Sequence, residues 1–306
     1  MKSLYELYEQ HQGKVSDKWS LYLREYEELL SPYREEPVCL LEIGIQNGGS
    51  LDIWSRYFPK ATGLIGCDIN PDCAKLEYED QRIAVVVGDA NSDESQAAIL
   101  SHARQFDIII DDGSHTSADI VRSFARYFPY LKPGGIFLAE DLHCSYWQNY
   151  GGGLYDPYSS VSFFKRLGDL VNFEHWGKPA KRSSVLAGFS ERYGVTFSDD
   201  VLATLHSVQF VNSLCVVKKA SAEQNLLGHR LIVGDDEQVL PLRETLSAEP
   251  HRAPDQSSNP WTQLERAPDE QFEALKLERA SLESRLQEES RRVSEADELV
   301  QREAEQ

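Results

Sequence analysis

Two apolar runs of the sequence end in acidic residues, which are Asp111, Asp112, Glu140 and Asp141. The first run, residues 106–112, is rich in isoleucine, as a buried parallel strand is, and such strands deliver their last residues to the sheet edge where ligands bind. Carboxylates crowded at one edge repel one another unless a cation or protons neutralise them. Because the ligands would all be oxygen atoms, we expect Mg²⁺, Mn²⁺ or Ca²⁺ rather than zinc. His115 follows closely enough to take a proton from a hydroxyl group held at such a metal.

A glycine-bearing turn, residues 45–50, joins a buried first strand at 38–44 to a helix at 51–58. Glycine lets a ligand approach the backbone closely, and the start of the following helix favours negative groups. The second predicted strand, residues 62–69, contains Asp68 near its end. This acid comes about 20 residues after the turn, the distance at which a nucleotide-binding fold places an acid on a ribose diol.

Strands and helices alternate through the middle of the sequence. Further strands are predicted at residues 83–87, 106–112 and 136–139, with helices at 92–105 and 117–131. The last helix stops at a Lys-Pro-Gly-Gly breaker, and an antiparallel pair at 207–211 and 214–217 closes one edge. The predicted fold class is therefore α/β, a Rossmann-like doubly wound and mostly parallel sheet with an antiparallel edge pair.

The ends of the chain differ from this middle part. Residues 1–36 are predicted to be helical, with Ser16 or Asp17 as the N-cap of an amphipathic helix. We place the catalytic domain at 37–219 and an extension with a Pro- and Ser-rich linker at 220–268. Residues 269–306 form an acidic amphipathic helix or weak coiled coil, with a solvated or disordered tail as the alternative. The pattern runs to the last residue, so the sequence could be part of a longer protein.

Composition excludes several classes of function. A formal net charge of −19, without a local basic patch, disfavours nucleic acid and anionic membranes as partners. No stretch reaches the roughly 20 apolar residues of a membrane span. The cysteines form an odd set without CxxC spacing, so we expect reduced thiols in a cytoplasmic protein.

The aromatic, glycine-rich residues 146–153 are interpreted as a loop that closes over a substrate, although an ordinary surface loop has the same composition.

A family resemblance rests on ordered motifs. One set of motifs is similar to the motifs of class I S-adenosylmethionine-dependent methyltransferases. It consists of Leu41-Glu42-Ile43-Gly44, Asp68, Gly88-Asp89-Ala90 and Leu131-Lys132-Pro133-Gly134-Gly135. The set Asp111-Asp112-Gly113-Ser114-His115, Glu140-Asp141 and Tyr150-Gly151-Gly152 resembles the metal-dependent sugar O-methyltransferases of macrolide biosynthesis, the mycinamicin and macrocin type. Cephalosporin hydroxylase-like proteins are more distant relatives. The resemblance extends from about Ser16, where Ser16-Asp17-Lys18 also fits, to about Lys219.

The resemblance implies a role for each matching residue. Glu42, Gly44 and Ser50 would line the methionine end of S-adenosylmethionine, Asp68 would hold the ribose hydroxyls, and Asp89 would reach the adenine amino group. Asp111 would be a further cofactor contact, with the acceptance of backbone amides as the alternative role for the first acid of such a pair. Asp112, Glu140 and Asp141 would bind Mg²⁺ or another divalent cation, and His115 would be the general base. The acceptor would be a sugar hydroxyl of a small glycoside or a glycan.

Other readings remain open. A nicotinamide dehydrogenase would share the sheet, but its turn should carry GxGxxG, which residues 44–49 lack. A catechol-type or other small-molecule O-methyltransferase would also use Mg²⁺ and carboxylates. The non-enzyme alternative is a coiled-coil scaffold with a vestigial methyltransferase fold, in which the C-terminal helix self-associates or binds a partner enzyme.

Overall fold

A computed structural model describes residues 2–241 and 252–304 of the chain. Its centre is a seven-stranded sheet in the order β3-β2-β1-β4-β5-β7-β6. The strands are β1 Cys39–Ile43, β2 Gly63–Asp68, β3 Ile83–Val87, β4 Phe106–Asp111, β5 Leu131–Ala139, β6 Leu205–Val211 and β7 Leu214–Lys219. Strands β1 to β5 are parallel, whereas β7 is antiparallel to both β5 and β6. The predicted fold class is confirmed, including the antiparallel edge pair.

Helices cover both faces of the sheet. They are α1 Leu4–Glu9, α2 Ser20–Leu30, α3 Gly49–Tyr57, α4 Asp93–His102, α5 Ser117–Tyr127, α6 Ser160–Val171, α7 Ala187–Tyr193, α8 Asp199–Leu202 and α9 Pro268–Ala304. Side chains alternate along each strand, so that Leu41 and Ile109 pack with α4 to α7, whereas Leu40 and Ile108 pack with α1 to α3. Both faces are apolar because both are covered, as in other parallel sheets.

The start of α2 differs from the prediction. Its N-cap is Trp19, which makes no capping side-chain hydrogen bond, and the expectation of Ser16 or Asp17 as the cap is wrong. The helix begins later because the residues before it have other contacts: the Val15 carbonyl accepts a hydrogen bond from the Gly49 amide at 3.2 Å, and Lys18 reaches the sheet edge. Local capping preference is therefore overridden by tertiary contacts.

The predicted helix breaker also has a different place. Residues 132–135 lie inside β5, which begins at Leu131 rather than at Ile136. The pairing of β4 with β5 shifts register between Phe106 and Ile108, and proline is tolerated in strands at such irregularities. A Cβ atom on Gly135 would stand 2.7 Å from the Asp107 carbonyl oxygen, so glycine permits the close approach of the two strands here.

The chain divides into two compact units, Met1–Thr262 and Gln263–Gln306. The boundaries predicted at 36, 219 and 268 stay predictions, and part of the predicted linker lies outside the described residues.

All five cysteines are free and buried, as expected. Among the helices of the described residues, none combines the length and the apolar character that a membrane crossing requires.

Candidate active site

The acidic residues predicted to converge do so at the carboxyl end of β4 and β5, and we call this region the acidic edge (Asp111, Asp112, Glu140 and Asp141). Asp111 is paired in register with Ala139, the last residue of β5. The Glu140 amide then donates to the Asp111 carbonyl at 2.9 Å. Backbone pairing therefore continues past both strands and fixes the spacing of the acids.

Three side chains of this region have ligand atoms close enough to share a cation. Asp112, His115 and Asp141 each offer one ligand atom, and these atoms lie within 4.8 Å of one another. We call them the ligand trio. Their side chains are all partly exposed, at 23%, 22% and 21% respectively. The carboxylate oxygens of Asp112 and Asp141 suit Mg²⁺, Mn²⁺ or Ca²⁺, so these two residues fit the predicted metal, whereas the roles of ligand and of general base are alternatives for the His115 imidazole.

Two members of the trio have a backbone conformation that is rare outside glycine. His115 has a φ of 57° and Asp141 a φ of 53°. Such conformations cost about 1–2 kcal/mol for a residue with a side chain. In these conformations the Nε2 atom of His115 lies 3.6 Å from Oδ2 of Asp141. The other ring nitrogen of His115, Nδ1, is buried without a hydrogen-bond partner among the described residues.

Lys18, to which the sequence assigns no role, occupies the centre of the site. The Lys18 ammonium contacts the Asp112 carboxylate and lies 2.6 Å from Oε1 of Glu140. Oε1 of Glu42 is 3.8 Å away, and only 2% of the Lys18 side chain is exposed. Although burial by itself lowers the pKa of Lys18, these carboxylates raise it well above its ordinary value. Lys18 is therefore a charged ammonium group.

The first turns of α2 supply further hydrogen-bond donors. Tyr26 donates to Oε1 of Glu140 at 2.5 Å. Tyr22 and the indole of Trp19 donate to Oδ1 of Asp141, at 2.9 and 3.0 Å. In the sequence these residues belong to the predicted amphipathic helix, and no polar role was assigned to them. The available signal was the tyrosine pair itself, because a buried phenol needs a hydrogen-bond partner.

Glu140 has a different environment from the ligand trio. Its side chain is only 2% exposed, and Oε1 is already bonded to Lys18 and Tyr26. Burial raises the pKa of Glu140, and the charge of Lys18 opposes that rise. Its role as a metal ligand stays a prediction.

A cavity of about 250 Å³ adjoins the acidic edge. Its walls include Gly44, Asp68, Asp89, Asp111 and Asp112. Gly44 has a φ of 86°, and a Cβ atom there would stand 2.0 Å from the Asp112 carbonyl oxygen. Gly44, which immediately precedes residues 45–50 and opens the glycine turn, therefore packs directly on the backbone of a candidate metal ligand.

The two acids predicted to bind the cofactor also organise the backbone around the cavity. Oδ2 of Asp68 accepts the amides of Ile45 at 2.9 Å and Gln46 at 2.8 Å. Asp89 accepts the Asn91 amide at 2.8 Å. Since each carboxylate oxygen can accept more than one hydrogen bond, these contacts leave room for ligand hydroxyls or amines.

Glu42 and Ser50, which were also predicted to bind the cofactor, are not among the residues that line this cavity, and they bond to each other. Ser50 Oγ donates to Oε2 of Glu42 at 2.6 Å, and Trp54 donates to the same oxygen at 3.3 Å. Within the described residues, Oε1 of Glu42 and Oδ2 of Asp111 are buried without a hydrogen-bond partner. Burial raises the pKa of Asp111 to about 7. Buried polar atoms left unpaired in this way mark a region built to receive another group.

An aromatic surface borders the ligand trio. The rings of Trp19 and His143 lie 6.3 Å apart, and those of His143 and Trp147 lie 5.0 Å apart, both edge to face. Trp19 is 60% exposed and Trp147 50%. The Gly152 amide donates to the Trp147 carbonyl at 3.2 Å, so this segment has internal hydrogen bonds. Closure of the segment over a substrate stays a prediction.

A larger cavity, of about 510 Å³, lies along α5 and is lined by Arg122, Arg126 and Tyr193. Its lining includes none of the residues predicted to bind the cofactor or the metal. The smaller cavity is therefore the one that the chemistry of the side chains favours.

Comparison with known proteins shows what the chain is similar to. Residues 41–142 match the family model of a methyltransferase domain. The 8-demethyl-8-alpha-L-rhamnosyl tetracenomycin-C 2'-O-methyltransferase of Streptomyces olivaceus is 37% identical over 188 residues, which are 56% of this chain and 48% of that protein. The mycinamicin VI 2''-O-methyltransferase of Micromonospora griseorubida is 34% identical over 197 residues, 61% of this chain and 46% of that protein.

A solved structure is also similar. It is the MycE methyltransferase from the mycinamycin biosynthetic pathway in complex with Mg, SAH and mycinamycin VI. The TM-score is 0.59 at 27% identity, and the match covers 73% of this chain and 55% of the other. This chain spans about half the length of the curated relatives it matches. Residues 41–142 therefore match a methyltransferase domain, and the chain is similar over about half the length of those proteins to O-methyltransferases named for tetracenomycin and mycinamicin glycosides.

Proposed function

We propose that this protein transfers a methyl group from S-adenosylmethionine to a sugar hydroxyl of a glycoside or polysaccharide, with Mg²⁺ or another divalent cation as cofactor. The observation that carries the proposal is the position of Asp112. This residue lines the cavity and also belongs to the ligand trio, so a metal and a cofactor would be neighbours there. The named relatives, which methylate sugar hydroxyls, support the choice of acceptor.

In the proposed arrangement, residues of the cavity wall would hold the cofactor together with Glu42 and Ser50, which lie outside that wall. Asp68 and Asp89 accept hydrogen bonds from the ribose hydroxyls and the adenine amino group, and Asp111 is a further contact. Gly44, Glu42 and Ser50 form the methionine end, where glycine allows the ligand to approach the backbone. Asp112, Glu140 and Asp141 hold the divalent cation.

When bound, S-adenosylmethionine supplies an electrophilic methyl group and the cation lowers the pKa of an acceptor hydroxyl. His115 accepts the hydroxyl proton at Nε2. Asp141, whose Oδ2 lies 3.6 Å from that nitrogen, stabilises the imidazolium that results. Holding the acceptor oxygen in line with the methyl carbon supplies much of the remaining rate enhancement.

The test combines binding with turnover. Thermal unfolding is measured for the wild type, Asp112→Asn and His115→Ala, with S-adenosylhomocysteine and Mg²⁺ added singly and together. A ligand that binds only the folded state raises its melting temperature. We expect S-adenosylhomocysteine to stabilise all three proteins and Mg²⁺ to stabilise the wild type and His115→Ala but not Asp112→Asn.

Methyl transfer is then assayed with rhamnosyl glycosides and with catechol as acceptors. His115→Ala should have no turnover if His115 is the base. If the variant loses Mg²⁺ stabilisation as well, His115 is a metal ligand instead. Turnover of catechol but of no glycoside would favour the catechol-type enzyme, and no shift with either ligand would favour the scaffold reading.

We also propose that α9 self-associates as a coiled coil. The large apolar side chains Leu275, Leu282, Leu286 and Val293 are more than half exposed and follow one another at steps of seven, four and seven residues. That spacing places them on one face of a helix. The mass in solution of Leu282→Glu/Leu286→Glu, compared with Ser281→Glu as a control, tests this; equal masses for both variants and the wild type would contradict it.

The free cysteines support a reducing, cytoplasmic location.

A further inference from the structure

Lys18 has a contact set that is unusual for a lysine. The carboxylates around its ammonium come from three different strands: Glu42 lies in β1, Asp112 follows β4 and Glu140 follows β5. Only 2% of the side chain is exposed. Burying an ammonium this completely is costly unless several carboxylates compensate for the lost water. The Lys18 ammonium is therefore paired with these three carboxylates and is not a solvated surface charge.

The same carboxylates are those proposed to hold the divalent cation. Asp112 belongs to the ligand trio, and Glu140 is adjacent in sequence to Asp141. A lysine ammonium and a divalent cation repel each other and cannot both contact the same oxygen atoms, which for Lys18 are Oδ2 of Asp112 and Oε1 of Glu140. A metal that binds these two oxygens therefore requires displacement of Lys18.

Glu42 provides a place for the displaced ammonium. Its Oε1 is buried, has no hydrogen-bond partner among the described residues and lies 3.8 Å from the Lys18 nitrogen. The other oxygen is held by Ser50 and Trp54, so the carboxylate is fixed in this orientation. A small movement of Lys18 would convert the long contact with Glu42 into a hydrogen-bonded ion pair.

We propose that Lys18 is a resident cation of the acidic edge, which competes with the divalent cation for Asp112 and Glu140 and shifts to Glu42 when the metal binds. In the absence of metal, Lys18 neutralises carboxylates that would otherwise destabilise the fold. The inference rests on the metal site of the proposed function. In this proposal Lys18 is a positioning residue that weakens metal binding. Because it contacts Glu42 as well as the metal carboxylates, it also links the metal site to the predicted methionine end of the cofactor site.

Mn²⁺ binding, measured by the loss of the free-ion signal in electron paramagnetic resonance, tests the competition. The site-specific part of the binding is defined as the part that Asp112→Asn removes. Lys18→Met should bind Mn²⁺ at least about tenfold more tightly than the wild type, because a unit positive charge is removed from contact with the ligands. Lys18→Arg, which keeps the charge, should not show this gain.

Lys14 provides a matched control in the same segment. It pairs with Asp52 at 3.2 Å and does not contact the acidic edge, so Lys14→Met loses one positive charge without opening the cluster. Its Mn²⁺ affinity should stay within about threefold of the wild-type value, since a partly exposed pair contributes little at a distance. Equal tightening in Lys14→Met and Lys18→Met would overturn the proposal, because the effect would then be one of net charge.

A measurement on the wild type covers the case in which Lys18→Met does not fold. Nuclear magnetic resonance of lysine ammonium groups should detect Lys18, whose buried hydrogen bonds slow proton exchange, and saturating Mg²⁺ should shift that resonance. An unchanged Lys18 resonance at saturating Mg²⁺ would overturn the proposal. Site-specific Mn²⁺ binding to the wild type that Lys18→Met does not tighten would overturn it as well, while leaving the proposed function intact. Absence of site-specific binding in the wild type would overturn both.

Discussion

Replacing Gly44 by alanine tests whether the glycine turn and the acidic edge depend on each other. Gly44 has a φ of 86°, and its new Cβ atom would stand 2.0 Å from the Asp112 carbonyl oxygen. A side chain at this φ costs about 1–2 kcal/mol. Relief of the overlap requires a backbone shift, which costs a further 1–3 kcal/mol, roughly, by analogy with overpacked cores.

Gly134 provides the first contribution, the cost of the positive φ, without the second. Its φ of 85° is almost the same, and a Cβ atom there would meet no atom within 4 Å. Gly134→Ala should therefore lose only about 1–2 kcal/mol. The difference between the two variants, about 2 kcal/mol, measures the contact between the turn and Asp112.

Urea unfolding gives the free energies, and calorimetric titration gives the affinity for S-adenosylhomocysteine. Gly44→Ala should melt roughly 5 °C below Gly134→Ala, given about 2–4 °C for each kcal/mol in a domain of this size. Its S-adenosylhomocysteine affinity should also fall, because Gly44 lines the cavity. Unfolding free energies that agree within about 0.5 kcal/mol would refute the reasoning, since the overlap would then be relieved without cost.

Two further predictions concern buried polar groups. Tyr26→Phe removes a hydrogen bond to the buried Glu140 carboxylate and should lower the free energy of unfolding by about 2 kcal/mol, whereas Tyr33→Phe, which loses an exposed bond to a neutral carbonyl, should cost less than about 1 kcal/mol. Equal losses in urea unfolding would contradict the assigned burial. Asp111 has a pKa of about 7 in the folded protein against 3.8 ordinarily, so the folded state keeps a proton that the unfolded state releases, and stability is lost as pH rises through this window. Asp111→Asn cannot titrate, so its free energy of unfolding should fall less between pH 4 and 7, and parallel pH profiles of the two proteins would exclude Asp111 as the cause.

The sheet was predictable because its signals are local and redundant. Phe106–Asp111 is a continuous apolar run that ends in acids, and buried parallel strands have few other interpretations. The convergence of Asp111 with Glu140 then followed from parallel pairing, since the carboxyl ends of neighbouring strands meet at the same edge. Most of the acidic edge was therefore available from sequence periodicity.

The position of the Lys18 ammonium could not be predicted in this way. Lys18 was named only as part of the Ser16-Asp17-Lys18 motif of the family resemblance, and nothing local in the sequence indicates that its ammonium is buried. Its burial depends on residues 10–19 crossing to the sheet edge, which is a tertiary property. The same contacts moved the start of α2 to Ser20, so the wrong N-cap and the missed lysine have one cause.

Backbone strain shows how strongly this edge is specified. The non-glycine residues with positive φ in the described part of the chain are Gln46, His115, Asp141 and Ser213. Gln46 follows β1, His115 follows β4 and Asp141 follows β5, while Ser213 accepts a hydrogen bond from Leu142 through its carbonyl. All four therefore lie at the carboxyl edge of the parallel strands. Each costs about 1–2 kcal/mol that glycine would not, so the surrounding contacts must hold these side chains in place against local preference. Glycine at His115 or Asp141 would relieve the strain but delete a member of the ligand trio, which is the pattern expected where chemistry rather than stability selects the residue.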